Sequence, residues 1–193
     1  MVASMRGDYQ QAYELSQHQL HASLAFVWNR FSLALAMCGL GENAQASRVV
    51  HDLLTTAPSA RSITWQRLCL PIAAILAARA NQPEWAVELL GLAFAAPPEI
   101  NGWMDKWPLL NEVRQQLEGQ LGAEAFYTAW EHGKTLPLDV VAQRLVEQGK
   151  STEDQPTPAK TANQLLLEPL SERELEVLRL IAAGHSNQDI ADY

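Results

Sequence analysis

The chain has 193 residues, 48% of them hydrophobic, and a formal charge of −8. That length suffices for one sizeable domain and a smaller one, and the acidic balance argues against broad electrostatic attachment to nucleic acid or to an anionic membrane. Two distant cysteines, a longest apolar run of only "LPIAAILAA" and a polar opening "MVASMRGDYQ" lead us to expect no disulfide scaffold, bilayer span or signal peptide, and a cytoplasmic protein.

Helical stripes recur from end to end, and strand-like alternation does not persist. The first segment, "GDYQQAYELSQHQL", carries Gly7, Ala12 and Leu20 at offsets 0, 5 and 13. Gly41, Ala46 and Leu54 repeat those offsets, with Pro58 at 17; Asn81, Ala86, Phe94 and Pro98 repeat them again. The alanines stand 34 and then 40 residues apart, the extra six lying around "SARSIT". Gly7, Gly41 and Asn81 are expected just past helix ends, where a left-handed backbone is wanted. Ala12, Ala46 and Ala86 are expected where the second helix of a pair crosses the first, with Ala34 and Ala74 as the small residues of the first helix. Pro58 and Pro98 would stop the second helix of their pairs.

A period near 34 with small residues at the crossings resembles a degenerate tetratricopeptide (TPR) array over residues 1–100. The first unit is incomplete, because Gly7 would already be a turn between two helices. Since each repeat of a solenoid is buried against its neighbours, the chain is expected to begin inside a longer one.

Residues 101–148 carry three further stripes: Leu110, Val113 and Leu117; then Phe126 and Trp130; then Val140, Val141, Leu145 and Val146. These would cap the array. From 149 to 169, "GKSTEDQPTPAKTAN" and its sequel are polar, contain proline and lack periodicity, the composition of a flexible linker.

Residues 170–193 read "LSERELEVLRLIAAGHSNQDIADY". Ser171 and Glu174 form a capping box, and a helix follows with Leu175, Leu178, Ile181 and Ala182 on one side. Gly184 supplies a left-handed exit, and Ser186 with Asp189 starts a second capping box two residues later. Ile190 and Ala191 open the apolar stripe of the second helix. Two short helices on so tight a turn cross steeply, as in helix-turn-helix modules.

On these residues the segment resembles the opening of the LuxR-type helix-turn-helix, whose pattern runs "RE.EVL.L.A.G.SN..IA" after a Thr or Ser cap. Leu170, Ser171, Arg173, Glu174, Val177, Leu178, Leu180, Gly184, Ser186, Asn187, Ile190 and Ala191 fall on it. The order of array, cap, linker and module is similar to the C-terminal part of the large ATP-binding (MalT-like) regulators of that family. The resemblance implies an upstream nucleotide-binding domain, so ATP is expected there and no cofactor or metal in this chain. It also implies a recognition helix and a last helix after Tyr193. In such modules the recognition helix enters the major groove while the preceding helix crosses the backbone. Ser186, Asn187 and Gln188 would then offer phosphate contacts in the complete module. Six acids against two arginines between Leu165 and Tyr193 give that contact no electrostatic help. DNA is therefore expected as a partner of the complete protein and not of this chain alone, with an effector or partner protein on the repeats. The alternative is a TPR-type interaction scaffold with no DNA-binding role.

Several look-alikes carry no chemistry. "GKT" at 133–135 has Thr128 where a phosphate loop needs its first glycine, "GKS" at 149–151 has Arg144 there, and "GLGENA" from Gly39 follows a helix rather than a strand. Glu14, His18 and His21 share a helix face, but a half-exposed polar face explains them better than a metal site. No nucleophile–base constellation stands out, and the chain is not expected to be an enzyme. Cys38 and Cys69 read as buried packing residues. Of six tryptophans, Trp28, Trp65, Trp85 and Trp130 fall in helices and are expected in the core. Trp103 and Trp107, in "NGWMDKWP", are less tied to any stripe and are candidates for lining a ligand or partner groove.

Overall fold

The computed structural model describes residues 2–17, 23–56, 62–153 and, further on, Arg173, Glu174 and Val177. Two compact units divide the chain, 1–153 and 154–193. The described residues are all-α, with no strand among them.

The first unit runs α1 (Val2–Met5), α2 (Tyr9–Gln17), α3 (Ser23–Leu40), α4 (Asn43–Thr55), α5 (Ile63–Arg79), α6 (Pro83–Phe94), α7 (Pro98–Asn101), a 3-10 turn (Met104–Lys106), α8 (Pro108–Leu121), α9 (Ala123–Thr135) and α10 (Leu138–Glu153). Its hairpins are built by the expected breakers. Gly7, Gly41 and Asn81 all have left-handed backbones, with φ of 79°, 81° and 57°. Each lets a helix end abruptly, so that α1 turns into α2, α3 into α4 and α5 into α6. The N–H of Glu42 closes on the Met37 carbonyl and that of Gln82 on the Ala77 carbonyl, the six-to-one bond of a Schellman end. The small residues lie at the crossings: Ala34, Ala46, Ala74 and Ala86 are fully buried and Ala12 nearly so. Pro58 and Leu20 lie outside the described residues. Pro98 opens α7 after α6 has ended at Phe94, a position where its missing N–H costs nothing.

One core serves the whole unit. Phe31, Leu35, Leu53, Leu70, Ile75, Leu89 and Leu90 lie at its centre, and Met104, Trp107 and Leu110 extend it under the later helices. Pro71 sits inside α5, where it deprives the Arg67 carbonyl of its usual donor, yet the helix continues to Arg79. Polar clasps hold the hairpins together. The Arg30 guanidinium of α3 pairs with the Asp52 carboxylate of α4. Arg79 Nη1, at the end of α5, donates to the Cys38 carbonyl at 2.7 Å and to Asn43 Oδ1 at 2.6 Å. A cation there also suits the negative end of α3.

The three stripes after residue 100 fall on α8, α9 and α10, except that Val140, read as part of the third, is exposed while Val141 beside it is buried. The helix α10 continues through Glu153, however, past Gly149, where composition put the start of a linker. Gly149 is buried against α4 because a hydrogen atom is all that fits: a Cβ there would stand 2.5 Å from His51 Nδ1. Packing thus overrides a local composition that reads as coil. Arg144 adds a second tie, its guanidinium 3.7 Å above the Trp85 ring of α6. No helix of the described residues is long and apolar enough to cross a membrane.

Candidate functional site

In the second unit, Arg173, Glu174 and Val177 are helical, with the first two exposed and Val177 half-buried. Leu175, Leu178, Ile181 and Ala182, the stripe expected after Ser171, lie outside the described residues. So do Ser171, Gly184, Ser186, Asn187, Gln188, Ile190 and Ala191, and His18 and His21 of the dismissed metal trio.

In the first unit, aromatic rings from three separate stretches converge. Trp28 and Phe31 come from α3, Trp65 from α5, and Trp103 and Trp107 from the ends of the 3-10 turn. The Trp28 and Trp65 centroids are 4.8 Å apart in an edge-to-face arrangement, Phe31 and Trp103 are 5.6 Å apart, and Trp103 and Trp107 5.7 Å. Such pairs favour one another beyond the area they bury. Beside them lies a cleft of about 590 Å³, mostly apolar, walled by Met5, Trp28, Leu68, Ile100 and Trp103, with Glu99 and Lys106 among its polar residues.

The two tryptophans paired by sequence position part here. Trp103 is half-buried and lines the cleft; Trp107 is fully buried in the core and does not. Trp107 is the residue before Pro108, is extended, and is carried inward as the N-cap of α8. Trp28 is the converse correction. Expected in the core, it is 47% exposed and forms a wall of the cleft, because α3 directs Phe31 inward one turn later. Trp85 is buried, and Trp65 and Trp130 are half-buried.

A second cleft, of about 400 Å³, lies between α4, α5 and α10 around His51. Where α9 meets α6, His132 Nδ1 of α9 is 2.8 Å from Glu88 Oε1, so that carboxylate already has a partner. Among the described residues no group of three or more His, Cys, Asp or Glu could hold a metal ion. "GKT" lies in the last turn of α9, "GKS" within α10 and "GLGENA" across the α3–α4 turn; none forms a loop between a strand and a helix. Cys38 and Cys69 are fully buried and unpaired, and burial pushes both thiols up to about 12.

Comparison with known proteins bears on the C-terminal unit. Residues 168–193 match the family described as bacterial regulatory proteins, luxR family. The match covers well under half of the chain, and it points to a DNA-binding transcription regulator. No curated protein and no solved structure matches the chain.

Proposed function

We propose that this chain is the sensor and interaction part of a LuxR-type, DNA-binding transcription regulator, with residues 170–193 opening its helix-turn-helix. The observation that carries this reading is the family match at 168–193, joined in one polypeptide to a separate helical unit that carries open clefts. DNA would be bound through the complete protein. There the second helix would cross the backbone with Ser186, Asn187 and Gln188 near phosphates, and a following helix would read the major groove. Ser171, Glu174, Leu178, Ile181, Gly184, Ile190 and Ala191 would be its framework.

For the first unit we propose a TPR-like array over 1–100 closed by the helices of 101–148. The left-handed exits at Gly7, Gly41 and Asn81 and the buried alanines support it. The MalT-like subgroup, with ATP bound by an upstream domain, is the finer assignment that this order suggests. The cleft at Trp28 and Trp103 is the surface we assign to an effector or partner protein, since half-exposed tryptophans beside an apolar floor suit such a role. A chain of this kind is not an enzyme and works in the cytoplasm, where its DNA is. The competing reading, a TPR-type scaffold with no DNA-binding role, draws on the acidic charge of −8.

Immunoprecipitating the natural gene product from its own cells, with its cross-linked DNA, separates the two. The regulator enriches a small set of promoter-proximal sites, and deletion from residue 168 onward abolishes them. A scaffold enriches none.

A further inference from the structure

The helix α10 reaches α4 at a point with no room for a side chain, where Gly149 lies against the His51 ring. That contact seals one ring nitrogen. Nδ1 is buried with no hydrogen-bond partner, and His51 as a whole is only 9% exposed. His51 is also a wall of the cleft between α4, α5 and α10, whose volume of about 400 Å³ is in the range of small-molecule sites.

The lining has a definite chemistry. From α5, Ala73 and Ala77 form a small, apolar floor, while Asn43, Ser47, Gln82, Gln148 and His51 supply polar groups. None of the lining residues is Asp, Glu, Lys or Arg. With Nδ1 sealed, Nε2 is the ring atom left to hydrogen-bond with an occupant. The Oδ1 of Asn43 already accepts from Arg79, which leaves that amide's NH2 group to donate. Gln82 stands exposed at the start of α6, makes no capping bond, and offers both a donor and an acceptor. The nearest charge, the Arg79 guanidinium, is not among the lining residues and is held on the Cys38 carbonyl and Asn43 Oδ1. An uncharged ligand with a carbonyl beside an N–H finds two donors and an acceptor.

We propose that the His51 cleft binds a small uncharged molecule with a carboxamide-type edge, its carbonyl towards His51 and Asn43 and its N–H towards Gln82. Its apolar body lies on the alanine floor. Because α10 closes the cleft and is the helix from which the chain continues to residue 154, an occupant changes the hold of its last turns on α4. That regulatory use rests on the function proposed above; the binding itself does not.

The test uses the full chain, labelled for nuclear magnetic resonance of His51 and of the Asn and Gln side-chain amides, with benzamide as probe and benzoate as its charged counterpart. A probe this small achieves roughly millimolar affinity, so each is added at about 10 mM. Benzamide shifts the signals of His51, Asn43 and Gln82, and benzoate leaves them in place. His51→Leu abolishes the response at Asn43 and Gln82, and Gln82→Ala, an exposed change that leaves the fold alone, weakens it several-fold. Silence of all three signals with benzamide, equal shifts with benzoate, or an undiminished response in Gln82→Ala overturns the proposal. Failure of DNA binding in the same protein alters none of these outcomes, so the two readings fall separately.

Discussion

Gly133 of α9 lies so close to Glu88 of α6 that a Cβ on the glycine would stand 2.1 Å from the Glu88 carbonyl oxygen. The contact is reciprocal, since a Cβ on Gly91 of α6 would stand 2.2 Å from the Trp130 carbonyl of α9. Two helices thus meet backbone to backbone through a glycine from each. Backbone cannot swing aside as a flexible side chain can, so Gly133→Ala or Gly91→Ala must push the helices apart. Either should cost about 1–3 kcal/mol in urea unfolding. The double variant should cost less than the sum, because one displacement relieves both clashes. Gly119→Ala in α8 is the control. Nothing lies within 4 Å of its Cβ, and it should stabilise by about 0.5–1 kcal/mol.

Asn81 holds a left-handed backbone that Gly7 and Gly41 hold at the α1–α2 and α3–α4 turns. Asn81→Gly should therefore be near neutral, while Asn81→Ala should cost about 1–2 kcal/mol from the clash of Cβ with the following carbonyl. Thermal melts of the two variants report the difference. Equal losses for both would mean that the asparagine side chain, and not the backbone angle, is what the turn needs.

Trp107 and Trp28 belong to one ring cluster but differ in burial. Trp107→Ala should cost about 3–5 kcal/mol, as removal of a buried aromatic does. Trp28, at 47% exposure, should cost well under half of that when truncated. Its loss should instead reduce binding of whatever occupies the neighbouring cleft. Denaturant unfolding of both variants measures the contrast.

The buried thiols give a pH dependence with a definite sign. Burial raises Cys38 and Cys69 from 9.0 to about 12, so the folded chain keeps protons that the unfolded chain releases. Their contribution to stability is complete below pH 9 and is lost as pH rises towards 12. Between those limits the unfolding free energy should fall with pH, and Cys38→Ala with Cys69→Ala should flatten that slope. At pH 8 neither thiol should react with a thiol reagent until the chain is denatured.

The features legible in the sequence were those with a local backbone cause. Gly7, Gly41 and Asn81 mark turns because a left-handed residue is needed there, and the buried alanines follow from their fixed distance to those turns. The all-α class follows in the same way from the recurring stripes. What escaped the sequence depends on contacts between distant segments. Gly133 and Gly149 looked like fragments of phosphate loops, yet they are points where a helix approaches α6 or α4 too closely for a side chain. Trp28 sits on a helix and reads as core, although the ring that turns inward is Phe31. Trp103 and Trp107 look equivalent in "NGWMDKWP" until the 3-10 turn between them sends one to the cleft wall and the other inside. The His51 cleft has no sequence signal at all, because its walls come from residues about a hundred positions apart.

The most direct test of the central claim is selection from random duplex DNA by the purified full-length gene product, repeated at rising salt. One sequence motif should be enriched. Binding to that motif should weaken steeply with salt, as phosphate contacts require, and Ser186→Glu should abolish it by placing a carboxylate against the backbone. Recovery of unenriched DNA, or a motif whose binding is untouched by Ser186→Glu and by deletion from residue 168, would mean that residues 168–193 do not open a DNA-binding module.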